Sequence, residues 1–162
     1  MLLLIPYGMA AAFVRAYHRH QPRPPNARAH KFSLGLFDGC QLVGVAMVCR
    51  PASRHLDTGE RWEIARLCTR GARNACSRLY AAAWREARRR GCQALGTYTL
   101  STEPGSSLKA AGWLPVHRTR ARQWDTPARR RKQQVLPASY RVYWEAPCLS
   151  DARMRPPSKN EL

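Results

Sequence analysis

The stretch RLCTRGARNACSRLYAAAW, residues 66–84, joins a short apolar run to a strongly patterned helix through the residues Arg-Gly-Arg-Asn. From Cys76 onward, apolar residues recur at spacings of three and four, and arginines fill the other side. This spacing predicts an amphipathic helix with Asn74 as its N-cap and Gly91 at its end. The loop before the helix either binds an anion at the helix start or only turns the chain.

The residues before this unit predict one strand, one helix and a three-stranded meander. Residues 1–5 form the first strand, and residues 9–17 form a helix that three closely spaced prolines end. The segments HKFSLGLFDG and CQLVGVAMVCRP predict two strands joined at the Asp-Gly turn. In ERWEIARLCT, the alternation predicts a third strand with Trp62, Ile64 and, by extension, Arg66 on one face.

The residues after the amphipathic helix predict three more strands and a short helix. The segments are a strand in QALGTYTL, a helix in EPGSSLKAAG, a strand in the first half of WLPVHRTRARQW, and a last strand in YRVYWEA. This order predicts an α/β (α+β) domain with three layers, in which helices flank one mixed, mainly antiparallel sheet. We expect residues 1–146 to form a single domain and residues 147–162 to be a disordered tail.

The charge is strongly one-sided, with 28 Lys and Arg residues against 10 Asp and Glu residues and a net charge of +18. Such a surface attracts polyanions and anionic cofactors from solution. Nucleic acid is therefore a candidate partner. The alternative is a basic surface with no specific polyanionic partner.

The six cysteines contain no C-x-x-C pair, and most lie in apolar runs, which favours reduced thiols and a cytoplasmic location. The apolar N-terminal run is interrupted by Pro6 and Gly8 and is too short to span a bilayer, so no membrane partner is expected. The oligomeric state is left open by the sequence.

Three segments together resemble the GNAT N-acetyltransferase superfamily, including the small GNAT-like proteins carried by phages and other mobile elements. They are the meander ending in WEIARLCT, the loop and helix RGARNACSRLYAAAWREARRRG, and TYTLSTEPGSSLKAAGW, whose AAGW stands where GNAT proteins carry Gly-Phe. The resemblance covers roughly residues 1–145. It implies acetyl-CoA or another acyl-CoA as co-substrate, held in a V-shaped opening between strands 63–68 and 94–100.

The resemblance also implies a cofactor-binding loop, although the glycine pattern Q/R-x-x-G-x-G/A of the family is largely lost here. Pyrophosphate would then be bound by backbone amides at the helix start and by two arginine side chains. A backbone N–H near Leu67 or Cys68 would bind the thioester oxygen. The predicted loop residues are Arg70, Gly71, Arg73, Asn74, Ala75 and Cys76.

Catalysis in such an enzyme needs a base, because an alkyl ammonium must lose its proton before it attacks a thioester. Glu63 is the candidate, either directly or through water, on the strand that leads to the loop; the alternative is an exposed carboxylate. The family's tyrosine and asparagine positions fall on Leu108 and Ser101. The general acid must therefore be another residue, and the candidates are Ser107, Tyr98 and Ser106.

Two basic segments are candidate contacts for an acceptor or a nucleic acid. The first, between the first two strands, contributes Tyr17, His18, Arg19, His20 and Arg23, whose rings and guanidinium groups suit bases and phosphates. Its histidine spacing does not suit zinc, and no metal site is expected. The second runs from residue 118 to 132 and contains Arg129, Arg130 and Arg131, which would follow a phosphate backbone or form a solvated face.

These features support three hypotheses. The first is an acyltransferase that moves an acetyl or related acyl group from acyl-CoA to an amine. The second is a phage-type enzyme that modifies a DNA or RNA base, comparable in broad outline to the Mom protein of phage Mu. The third is a basic nucleic-acid-binding module that has the same fold and no catalytic activity.

Overall fold

The computed structural model describes residues 1–119 and 140–148. Their helices and strands form one seven-stranded sheet with helices on both faces, in the order β1-β2-β3-β4-β5-β7-β6. In chain order the elements are β1 (Leu2–Ile5), α1 (Tyr7–Tyr17), a 3-10 turn (Ala27–Ala29), β2 (His30–Asp38), β3 (Gln41–Cys49), β4 (Arg61–Thr69), α2 (Ala75–Arg89), β5 (Ala94–Leu100), α3 (Ser106–Ala110), β6 (Leu114–Thr119) and β7 (Arg141–Glu145).

The sheet is mixed, as the sequence predicts. Strands β1 to β4 are successively antiparallel, and β7 pairs antiparallel with both β5 and β6. The exception is the parallel pair β4 and β5, which α2 connects as a crossover. This parallel pair positions the candidate site, because each of its strands has a different antiparallel neighbour on the other side.

Two cores lie on opposite faces of the sheet, which gives the expected three layers. In β3, Val45 and Met47 pack with α1, whereas Ala46 and Val48 pack with α2 on the other face. Successive side chains of a strand point to opposite faces, so one strand serves both cores. The three-layer prediction is therefore confirmed for the described residues.

A bulge in β4 corrects the predicted alternation of that strand. Ile64 pairs with Val48, but Met47 pairs with Arg66, so Ala65 is an extra residue. Beyond such a bulge the two faces of the strand are exchanged. Arg66 therefore lies on the face of α1 with Met47, and the prediction that it shares the face of Trp62 is wrong.

Helix α2 begins and ends where the sequence predicts, but the Asn74 side chain does not cap it. Asn74 precedes the helix in a left-handed conformation (φ 55°), and its side chain makes no capping hydrogen bond. Instead its carbonyl oxygen accepts the Ser77 hydroxyl at 3.0 Å. At the other end Gly91 has φ +86°, the conformation that closes a helix, as predicted.

Helix α1 begins at Tyr7, two residues before the predicted start, because the Pro6 carbonyl oxygen accepts the Ala10 N–H at 3.2 Å. Cys49, Cys68 and Cys92 are buried thiols. Within residues 1–119 and 140–148, no helix is both long and apolar enough to span a membrane.

Two predictions fall outside the described residues. They are the contacts at Arg129, Arg130 and Arg131 and nearly all of the C-terminal tail.

Candidate functional site

The strands β4 and β5 separate partway along their length. Their parallel pairing runs from Arg61 with Ala94 to Ile64 with Thr97 and ends there. Beyond this point β4 stays paired with β3, and β5 stays paired with β7. Each strand follows its own neighbour, so a V-shaped opening forms with its apex at Ile64 and Thr97.

A cleft of about 630 Å³ fills this opening. Its walls come from both separated strands, from the end of α1 and from the start of α3. The lining includes Ile64–Thr69 in β4, Thr97–Leu100 in β5, residues 17–21, residues 103–108, Cys76, Tyr80 and Arg141. The cleft lies where the resemblance to GNAT proteins implies an opening, between strands 63–68 and 94–100.

The backbone of β4 offers hydrogen-bond donors to this cleft. The Arg70 N–H donates to the Val43 carbonyl oxygen at 2.8 Å, so Arg70 directs its backbone groups toward β3. Alternate residues of an antiparallel strand point these groups to opposite sides, and Leu67 and Thr69 therefore direct theirs toward the cleft. Of the two predicted donors, Leu67 has the right direction, whereas Cys68 directs its N–H toward β3.

Glu63 lies one residue before the apex and is not one of the residues that line the cleft. Its Oε2 atom accepts the Ala52 N–H at 3.1 Å. Burial raises the pKa of this carboxyl group, while the Ala52 N–H and the charges of Arg66 and Arg141 lower it in part. The carboxylate is thus half-buried beside two guanidinium groups.

The two predicted acids lie on different walls. Tyr98 lines the cleft from β5, with its ring centroid 4.8 Å from that of Tyr143. Burial raises the pKa of the Tyr98 hydroxyl, and the charge of Glu63 adds to the effect. Ser107 lines the cleft from α3, next to Ser106. Because the charge of Glu63 acts on the Tyr98 hydroxyl, Tyr98 lies within electrostatic range of this predicted base.

The predicted cofactor loop lies at the end of β4, and of its residues Cys76 lines the cleft itself. The Ala75 N–H donates to the Ala72 carbonyl oxygen at 3.2 Å, so this predicted phosphate donor is already engaged. The Cys76 and Ser77 amides have no backbone acceptor among the described residues. The Arg70 guanidinium stacks over the Tyr17 ring, 4.8 Å from its centroid.

Two other residues of this loop are exposed beside the helix start. Gly71 has a left-handed backbone (φ +74°), as a tight turn requires. Arg73 is exposed and directly precedes Asn74. Both are close in sequence to the donors of α2, and neither lines the cleft.

The segment after α1 forms part of the cleft wall. Tyr17, His18 and His20 line it, whereas Arg23 lines a separate groove near Tyr7. His18 Nδ1 accepts the Gln21 N–H at 3.1 Å. Burial, followed by the charges of Arg66 and His20, lowers the pKa of His18 to about 4.

Three charged residues of the cleft were not predicted from the sequence. Glu103 reaches across to the segment after α1, with Oε1 3.2 Å from Arg19 Nη2 and 3.3 Å from His20 Nε2. Arg66 and Arg141 also line the cleft. The bulge at Ala65 turns Arg66 to this face, and no pattern in the sequence indicates the bulge. No cluster of three metal-ligating side chains occurs within residues 1–119 and 140–148.

Solved structures with similar folds include several acetyltransferases. An acetyltransferase from Bacillus subtilis in complex with CoA superposes with a TM-score of 0.63 at 11% identity, over 91% of this chain and 98% of that chain. An IAA acetyltransferase from Bacillus cereus gives 0.63 at 10% identity, over 90% and 97%. The ribosomal-protein-S18-alanine N-acetyltransferase from Escherichia coli gives 0.60 at 11% identity, over 91% and 93%.

No family model matches the sequence, and a search of curated proteins finds no relative. The likeness is therefore one of structure, and it extends over nearly the whole of each chain compared. The element order, the mixed sheet and the divergence of β4 from β5 agree with it. The chain has the fold of the GNAT N-acetyltransferases.

Proposed function

We propose that this protein is an acyl-CoA-dependent N-acyltransferase. The observation that carries the proposal is the divergence of β4 and β5 after Ile64 and Thr97, which opens the cleft and directs the Leu67 N–H into it. An extended amide-containing chain, such as the pantetheine arm of CoA, can pair with the open edge of β4 as a further strand would. The CoA bound to the Bacillus subtilis structural neighbour supports this assignment.

The loop and the start of α2 would bind the pyrophosphate. The Cys76 and Ser77 amides supply donors at the positive end of a 15-residue helix, and Arg70 and Arg73 supply charge. Thr69 and Cys76 line the cleft beside this end of the helix, and the Thr69 Oγ1 and Cys76 Sγ atoms are 3.6 Å apart. The acyl group would then lie deeper, near the apex.

The chemistry is direct transfer. Glu63, directly or through a water molecule, takes a proton from the ammonium group of the acceptor. The amine nitrogen attacks the thioester carbonyl carbon, and the Leu67 N–H stabilises the negative charge that develops on the oxygen. The C–S bond then breaks, and the CoA thiolate takes a proton from Tyr98 or Ser107. The nitrogen of the new amide loses its second proton, which restores that acid, and Glu63 releases the first proton to water.

A nucleic acid is the second candidate acceptor, and the observation that favours it is the distribution of charge. The net charge is +18, and the outer face of α2 carries exposed arginines at positions 78, 85 and 88. This face could follow a phosphate backbone while a base enters the cleft. A non-catalytic basic binding module on the same fold is the third alternative.

Titration calorimetry with acetyl-CoA, followed by a thiol-release assay with a panel of amines, tests the proposal. We expect binding in the micromolar to low millimolar range and release of free CoA that requires an amine. Absence of binding at millimolar acetyl-CoA would refute the acyltransferase. Altered nucleosides in cells that express the protein would favour the second candidate, and salt-sensitive DNA binding without CoA binding would favour the third.

A further inference from the structure

We propose that the Tyr80 hydroxyl binds the sulfur atom of the acyl-CoA and stabilises the thiolate that leaves when the acyl group is transferred. The inference rests on the proposed function and adds a catalytic residue to it. Tyr80 lies in α2 and lines the cleft together with Cys76, one helical turn earlier. Helix α2 runs back along the sheet as the crossover between the parallel strands, and four residues rise by roughly 6 Å. Tyr80 is therefore closer to the apex than the helix start that would bind the pyrophosphate.

The Tyr80 hydroxyl has no hydrogen-bond partner among residues 1–119 and 140–148. The residue is only 8% exposed, and its ring packs on Trp113 with the two ring centroids 5.4 Å apart. A buried tyrosine hydroxyl ordinarily donates to an acceptor. Because Tyr80 lines the cleft, a molecule bound in the cleft can be that acceptor. The ring is thus held in place while the hydroxyl stays available to a ligand.

Two cleft residues act electrostatically on the Tyr80 hydroxyl, which places its oxygen atom on the cleft side of the ring. Burial raises the pKa of the hydroxyl, and interactions with Cys76 and Glu103 raise it further. Both of these residues line the cleft. The hydroxyl therefore keeps its proton near neutral pH and acts as a hydrogen-bond donor.

Tyr80 approaches the apex from the sheet face opposite to that of the proposed base. Trp62, Ile64 and Tyr80 belong to the core packed against α2. Glu63 lies between the first two of these in β4, so its side chain points to the face of α1. Tyr98 lies on the face of α1 too, because the residue before it pairs with Ile64. The base and the Tyr80 hydroxyl thus reach the opening from different sides.

This arrangement suits a transfer in which the amine and the sulfur occupy different sides of the carbonyl carbon. The amine would lose its proton to Glu63 and attack from the face of α1, with the sulfur toward Tyr80. As the C–S bond breaks, its electron pair goes to the sulfur, and the Tyr80 O–H donates a hydrogen bond to the thiolate. This bond is stronger to the thiolate than to the thioester sulfur, so it lowers the barrier. Tyr80 keeps its own proton, and the thiolate then takes one from Tyr98 or Ser107 as proposed above.

The neighbouring side chains on this side of the cleft do not replace Tyr80 in this role. Leu108 lines the same wall from α3 and has no polar group. The buried Thr97 hydroxyl already donates to the Ile64 carbonyl oxygen at 3.0 Å. Ser107 is only half-buried, and water can reach it. Tyr80 therefore offers a buried donor that is not already engaged.

The variant Tyr80→Phe tests the inference, because it removes the hydroxyl and keeps the ring on Trp113. We would measure single-turnover acyl transfer from acetyl-CoA to the best amine of the panel. We expect the rate to fall about 10- to 100-fold, while Kd for acetyl-CoA changes by less than about threefold. Tyr140→Phe removes an exposed hydroxyl and should change neither quantity.

The pKa of the bound CoA thiol gives a second measurement that does not depend on turnover. A hydrogen bond to the thiolate favours that form, so the thiol pKa should be about one unit higher in Tyr80→Phe than in the unmodified protein. The thiolate is followed by the difference in ultraviolet absorbance between the complexes with CoA and with desulfo-CoA, which lacks the sulfur. Tyr140→Phe should show the thiol pKa of the unmodified protein.

Urea unfolding separates a hydroxyl that binds sulfur from one that supports the fold. Because the Tyr80 hydroxyl has no partner within the described residues, Tyr80→Phe should be at least as stable as the unmodified protein. A loss of stability, an unchanged transfer rate or an unchanged thiol pKa would each overturn the inference and leave the acyltransferase intact. Failure of the unmodified protein to bind acetyl-CoA would refute the proposed function, and the inference with it.

Discussion

The Thr97 hydroxyl donates a hydrogen bond to the Ile64 carbonyl oxygen at 3.0 Å, at the last paired position of β4 and β5. The bond is buried, and it lies where the parallel ladder stops and the cleft begins. Thr97 has 4% of its surface exposed, so water has little access to replace the bond. The Thr97 side chain therefore supplies the Ile64 carbonyl oxygen with a hydrogen bond at the apex of the opening.

Replacing this threonine should destabilise the apex. In Thr97→Val the Ile64 carbonyl oxygen loses its donor while the side chain keeps its shape, so we expect a loss of roughly 1–3 kcal/mol in the free energy of unfolding. Urea unfolding measures this change. Thr97→Ser, which retains the hydroxyl, is the matched control and should lose less; equal losses in both variants would show that the hydrogen bond contributes nothing.

Glu63→Gln should remove the base of the proposed reaction. We expect kcat to fall by about 10²- to 10⁴-fold, with acetyl-CoA affinity unchanged. Burial raises the pKa of Glu63 above its ordinary value of 4.5. The base must be unprotonated to act, so the activity of the unmodified protein should rise with pH through this raised pKa.

The pH profile separates a base from a merely structural carboxylate. Glu63→Gln should lack the acidic limb that the unmodified protein shows. Glu60→Gln, at an exposed position three residues earlier, should retain both the limb and the rate. An unaltered profile in Glu63→Gln would assign the proton transfer to another group.

Arg73→Glu should weaken acetyl-CoA binding, because it replaces a positive charge at the predicted pyrophosphate site with a negative one. We expect Kd to rise about tenfold or more at low salt and the difference to shrink as salt is added. Calorimetry at two salt concentrations measures both effects. Arg85→Glu makes the same charge change three turns along α2 and should have a much smaller effect; equal effects would indicate only a long-range field.

His18 should make the fold sensitive to mild acid. Its pKa in the folded protein is about 4, against 6.5 for an ordinary histidine, so the unfolded chain binds more protons between these values. The free energy of unfolding should therefore fall as the pH falls from 6.5 to 4. The full difference between these two pKa values corresponds to about 3 kcal/mol, and solvent screening of the partly exposed ring reduces the contribution to on the order of 2 kcal/mol.

The variant His18→Asn tests this linkage, since asparagine can still accept the Gln21 N–H and does not titrate. Its stability should vary less with pH over that window, as measured by urea unfolding at several pH values. His55→Asn, at an exposed position between β3 and β4, should keep the dependence of the unmodified protein. If His18→Asn retained the full slope, the acid sensitivity would have to come from other residues.

The elements and their order could be predicted from the sequence, because they depend on local patterns. The apolar spacing from Cys76 defines α2, the Asp-Gly turn defines the β2–β3 hairpin, and Gly91 ends the helix. The resemblance drawn from these segments also named the right fold. Glu63 and Tyr98 could be chosen as candidates because they lie on predicted strands that flank a predicted opening.

The residues that face the cleft depend on tertiary contacts. The bulge at Ala65 depends on how β4 registers with β3, and it moves Arg66 to the face of Glu63. The approach of Arg141 and Glu103 depends on contacts between segments far apart in sequence. Local periodicity describes a strand in isolation, whereas register and strand divergence arise from pairing with neighbours, so the cleft and its charges could not be read from the sequence.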